Sequence, residues 1–113
     1  MTTLDELCEA ISSLGIPWAN ERFGDGLEPE PPFILLVAGY DEPGYADCSA
    51  WVRPTSYDVA LYTRTRDYTT ESKIGTALDA IGCPWERMVT HLDSEGLIET
   101  AFSVYVTEEQ NNG

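Results

Sequence analysis

Positive charge is what this chain lacks. Six Lys plus Arg stand against 20 Asp plus Glu, a formal net charge of −14 in 113 residues. Lys73 is the single lysine and His91 the single histidine. Nucleic-acid phosphates and anionic membrane surfaces repel such a chain, so neither specific nucleic-acid binding nor a membrane partner is expected. The same poverty thins the stock of groups from which active sites are built. A salt-adapted surface would share this acid-rich, lysine-poor composition. Cations, salt or a basic partner would screen the self-repulsion.

Cysteine is also scarce. Cys8, Cys48 and Cys83 are odd in number and include no CxxC pair, the usage of a reducing compartment. A metal site built from these three and His91 would lack the closely spaced ligand pairs that zinc draws on. The N-terminal stretch is acidic and amphipathic rather than a signal peptide, and no segment approaches the roughly 20 apolar residues of a membrane span. There is no G-x-S-x-G elbow, no phosphate loop and no G-x-G-x-x-G. His91 lies near Asp93, a pairing more common on surfaces than in catalysis. Asp41, Glu42 and Asp47 share a loop but not the EF-hand spacing. We therefore expect no enzyme activity, no catalytic residue, no cofactor and no metal.

What is present suffices for one small domain, 1–113, with 108–113 a frayed tail. Hydrophobic content of 42% supports a core and argues against disorder. Thr3 and Glu6 make a capping box, and Leu4, Leu7, Cys8, Ile11 and Leu14 repeat at helical spacing. Gly15 and Pro17 then end that helix. Residues 18–23 read as a short strand, and 33–38, continuous and apolar, as a central one. Residues 50–63 read as one or two strands interrupted at Pro54. Tyr57, Val59 and Leu61 point one way; Asp58, Ala60 and Tyr62 point the other. A second helix covers 70–81, capped by Thr69 or Thr70 and ended by Gly82, with Glu71 in its first turn. Residues 85–92 and 97–107 form a hairpin across 93–96, with Phe102, Val104 and Val106 on one face.

Two segments echo each other. Leu14-Gly15-Ile16-Pro17-Trp18 follows the first helix, and Ile81-Gly82-Cys83-Pro84-Trp85 follows the second. The echo is either convergent capping chemistry or a trace of a repeat. In both cases it predicts two similar helix-to-strand corners on one sheet. The expected fold is α+β, with two helices packed on one face of a mostly antiparallel four- to five-stranded sheet.

Most aromatics suit core and sheet packing. Tyr40 and Tyr45 differ, because they sit in a polar loop beside Pro43 and Gly44, where aromatics serve as interface anchors. The loop 24–32, rich in glycine, proline and acids, is a second candidate contact surface. The candidate protein-interface residues are Asp25, Leu27, Glu28, Glu30, Tyr40, Asp41, Glu42, Tyr45 and Asp47.

Taken in order, these pieces resemble the small tail terminator, or tail-completion, proteins of long-tailed bacteriophages and prophages. The likeness runs over about residues 4–106. It rests on the helix ending in Gly15-Ile16-Pro17-Trp18-Ala19 and on the acidic proline-rich loop entering a strand through Pro31-Pro32-Phe33-Ile34. It rests also on Tyr57-Asp58-Val59-Ala60-Leu61-Tyr62-Thr63 before a charged turn and helix. The last piece is the hairpin from Trp85-Glu86 to Phe102-Ser103-Val104-Tyr105-Val106. The chain departs from the family in the second helix, where members carry more lysine, so salt bridges between subunits from such residues are not implied.

The resemblance implies a structural virion protein, assembled in the host cytoplasm and placed at the head–tail joint. It implies a homo-oligomeric ring, usually a hexamer, that caps the tail tube and ends its growth. Its partners would be itself, the tail tube protein and the head-completion or connector protein. The charge is compatible, since a carboxylate-lined lumen repels phosphates and lets DNA pass without trapping it. The alternative is an acidic DNA-mimic inhibitor seated in a basic groove, which would need acids at phosphate-like spacing on one face.

Overall fold

A computed structural model describes residues 2–24, 26–38 and 54–107. Helix α1 spans Leu4–Ser12. Thr3 accepts the Glu6 amide at 3.2 Å, and Glu6 accepts the Thr3 amide at 2.9 Å, closing the capping box. The helix stops two residues before Leu14, because the Leu14 and Gly15 amides bond three residues back and tighten the last turn. Gly15 then takes the left-handed φ of 75°. Strand β1 is only Trp18–Asn20, shorter than expected, and β2 is Phe33–Ala38. Strand β3 runs Pro54–Thr63. Its proline stands at the first position, where a missing ladder donor costs least.

Helix α2 spans Tyr68–Ala80, two residues earlier at its start than expected. Its cap is neither Thr69 nor Thr70 but Asp67, whose carboxylate accepts the Thr70 amide at 3.1 Å and the Thr70 hydroxyl at 2.7 Å. These bonds, with a smaller contribution from the Lys73 charge, hold the Asp67 carboxyl below its usual pKa. Strands β4 (Trp85–Leu92) and β5 (Leu97–Thr107) form the expected hairpin. Their connection is one 3-10 turn, Asp93–Glu95, closed by Gly96 at φ 66°.

Among the described residues the sheet has five strands in the order β1-β2-β3-β5-β4. All neighbours are antiparallel except β1 and β2. Register places Ile34 and Leu36 beside Leu61 and Val59, and these beside Thr100 and Phe102. That face, with Tyr57, Val104 and Val106, merges with Leu7 and Ile11 of α1 and Ile74 and Leu78 of α2 into one buried cluster. The hydrophobic effect of removing these side chains from water is the principal stabilising force of the domain. On the opposite face Phe33 and Ala60 are buried, whereas Met88 and Tyr105 are exposed.

The two corners repeat in space. Trp18 opens β1 and donates its indole N–H to Ser12, at the end of α1, at 3.0 Å. Trp85 opens β4 and donates its own to Asp79, near the end of α2, at 3.0 Å. Gly82 matches Gly15, with φ of 72°. The two strands so begun are the two edges of the sheet.

Candidate interaction surface

Of the expected interface residues, Leu27, Glu28 and Glu30 fall in described structure, and all three are exposed. Asp25, Tyr40, Asp41, Glu42, Tyr45 and Asp47 lie outside the described residues, and so does the loop that carries the tyrosines. The surface is therefore built from the β1–β2 loop upward.

Glu21 starts this loop at a left-handed φ of 67°. It is held there from two sides: its amide donates to the Leu36 carbonyl at 2.9 Å, and its carboxylate accepts the Ala38 amide at 3.0 Å. Both bonds tie the start of the loop to β2. Phe23 then packs edge-on against Phe33, with ring centroids 5.6 Å apart, and Phe33 stacks on Tyr62 at 5.2 Å. At the far end Glu30 accepts from Arg64 of the β3–α2 connection at 2.7 Å. Both partners are largely exposed, so the pair contributes little energy and mainly biases loop position. Between these anchors the Leu27 amide closes a turn onto the Gly24 carbonyl at 2.9 Å. Leu27 stands 72% exposed at this tip, the most exposed large apolar side chain described. Glu28 follows it.

A second surface is a groove of about 730 Å³ where the C-terminal end of α1 meets α2. Leu14, Ala77 and Ala80 supply apolar lining; Ser72, Thr76 and Lys73 supply hydroxyls and the ammonium. Lys73 makes no ion pair within 4 Å among the described residues.

A third feature lies inside. Glu71 is buried, its side chain only 1% exposed. It receives Arg66 through two bonds of 3.0 and 3.1 Å, Arg87 at 3.2 Å and the Thr100 hydroxyl at 3.4 Å. The Arg66 guanidinium also covers the Tyr68 ring at 4.4 Å. Two of the six cations in the chain thus neutralise one buried carboxylate. These bonds pin α2, its approach and β4 together. Sequence reasoning placed Glu71 in the first turn of α2, where it lies, but did not foresee its burial. The signal overlooked was its place on the apolar stripe, three residues before Ile74 and seven before Leu78.

Among the described residues the candidate chemistry does not assemble further. Among the described residues no ion pair joins His91 to Asp93. No group of three His, Cys, Asp or Glu residues among them is placed to hold a metal ion. Cys83 is buried and Cys8 half-buried, both as free thiols, and burial raises both thiol pKa values. No described helix is long and apolar enough to cross a membrane. No family model matches the chain, and no curated protein matches it.

Proposed function

We propose that this chain is a structural virion protein of a long-tailed phage or prophage. In this reading it forms a ring at the head-proximal end of the tail tube, ends tail growth and joins head to tail. The observation that carries the reading is the β1–β2 loop. It is rooted to the sheet through Glu21, Phe23 and Glu30, yet displays Leu27 and Glu28 to solvent. A loop rooted to the sheet with an exposed apolar and acidic tip is suited to contact between proteins. The order of elements adds support, because helix, short strand, acidic loop, long strands, helix and closing hairpin follow the sequence on which the resemblance rests. The net charge fits a conduit that DNA must traverse without adhering.

The test is the protein composition of particles released by the strain that carries this sequence. About six copies per joined particle, relative to a single portal ring, is the expected result for a closed cyclic assembly. Absence from intact, joined particles overturns the reading.

A further inference from the structure

We propose that the groove between α1 and α2 receives the Leu27–Glu28 tip of the β1–β2 loop from a second copy of the chain. This rests on the reading of the protein as a self-assembling ring and names the contact that would build it. The two surfaces are complementary in kind. The tip offers one exposed leucine followed by a carboxylate. The groove offers an apolar side, Leu14, Ala77 and Ala80, and beside it the only lysine of the chain.

Glu28, rather than Glu30, is the partner for Lys73. Glu30 is engaged by Arg64 at 2.7 Å, whereas Glu28 makes no ion pair among the described residues. Among the described residues Arg64, Arg66 and Arg87 are paired with carboxylates, Arg22 and Lys73 are not, and of these two only Lys73 lines the groove. In a chain carrying −14, an exposed ammonium on the groove lining, without an ion pair among the described residues, is an attractive point for a carboxylate of another copy. The hydroxyls of Ser72 and Thr76 supply further donors for the incoming carboxylate or for backbone carbonyls of the tip.

Leu27 is displayed rather than tucked away. Its Cδ1 lies 3.1 Å from where a Cβ on Gly24 would stand, so the side chain leans over the backbone of its own turn. Seating it against Leu14, Ala77 and Ala80 would remove apolar surface on both sides from water. Tip and groove are different surfaces, so the contact is heterologous. Heterologous contacts propagate head to tail and close into rings when the rotation allows, whereas a two-fold dimer would need one surface to meet itself.

The experiment is sedimentation velocity on the purified full chain under reducing conditions, at moderate salt and over a wide concentration range. Leu27→Ser and Lys73→Glu should each weaken self-association by about tenfold or more. The charge swap Lys73→Glu with Glu28→Lys should restore it towards wild type. All three positions are exposed, so unchanged urea midpoints would show that folding is intact. A wild-type oligomer that both single variants leave unaltered overturns this contact while the ring reading stands. Loss without rescue by the swap overturns the Lys73–Glu28 pairing. A wild-type chain that stays monomeric throughout overturns the contact, leaves the groove to a different chain, and removes the self-assembly on which it rests.

Discussion

Replacing Gly75 with alanine should destabilise this protein, although the same change in most helices stabilises. Gly75 lies inside α2 and is buried. On intrinsic propensity alone, alanine would gain about 1 kcal/mol over glycine there. A buried methyl in free space would add about 0.8 kcal/mol. Against this, a Cβ on Gly75 would stand 2.8 Å from Cζ2 of Trp85 and 3.3 Å from Cη2. Carbon atoms prefer about 3.5–4.0 Å, so the methyl begins deep in the repulsive wall. The indole cannot swing aside freely. Its N–H is bonded to Asp79 at 3.0 Å, and its ring rests against Phe102 with centroids 5.1 Å apart. Relief requires α2 to lift from the sheet, which puts the overpacking near the upper end of the usual range, about 3 kcal/mol. The expected net loss is therefore about 1–2 kcal/mol, read from the urea midpoint at unchanged slope. In a Trp85→Leu background the crowding atoms are gone, and Gly75→Ala should stabilise by about 1 kcal/mol. The two substitutions should thus be non-additive by about 2–3 kcal/mol. A stabilising Gly75→Ala in the otherwise wild-type chain would refute the packing argument.

Glu71→Gln should cost about 2–3 kcal/mol by urea unfolding, because it discharges the buried acceptor of three arginine bonds while both guanidiniums retain access to water. Arg87→Met should cost less, since the paired Arg66 bonds remain. Burial first, and then the 2.6 Å bond to Glu99, raise the Tyr62 pKa well above its ordinary value. The folded state therefore keeps this proton where the unfolded chain releases it. The contribution is complete below about pH 10 and falls as pH rises beyond it. Melting temperature should fall progressively as pH rises above about 10, and Tyr62→Phe should flatten that fall.

Period and punctuation made most elements legible. Six continuous apolar residues between prolines and glycine mark β2, and the Asp93-Ser94-Glu95-Gly96 turn marks the hairpin. Element ends were harder, for chemical reasons. Asp67, Thr69 and Thr70 can all cap a helix, and the choice of Asp67 depends on its carboxylate reaching both the Thr70 amide and hydroxyl. The parallel pairing of β1 left no local trace, since three residues carry no usable alternation. The groove was illegible because Leu14 and Lys73 are brought together only by the contact of the two helices. The burial of Glu71 was illegible because a carboxylate in a first turn has an adequate local explanation. The exposure of Leu27, by contrast, was legible from its setting among glycines, prolines and acids.

The matching corners can now be assigned a cause. A duplicated unit of helix, strand and strand would repeat its pairing as well as its turn. Here β1 pairs parallel with β2, the strand that follows it, whereas β4 pairs antiparallel with β5. The segments between them differ too: a long acidic loop in the first case, a tight 3-10 turn in the second. What the corners share is confined to the glycine at φ near 70°, the proline and the indole bond back to the helix. Those are the parts that any helix must solve when it stops and delivers its chain to the edge of a sheet. Shared chemistry under different topology is the mark of convergence, so the echo reports a common mechanical task. At β1 that task bears on the proposed contact between copies. The indole bond pins a strand of three residues, and that strand is the base from which the Leu27 tip is projected.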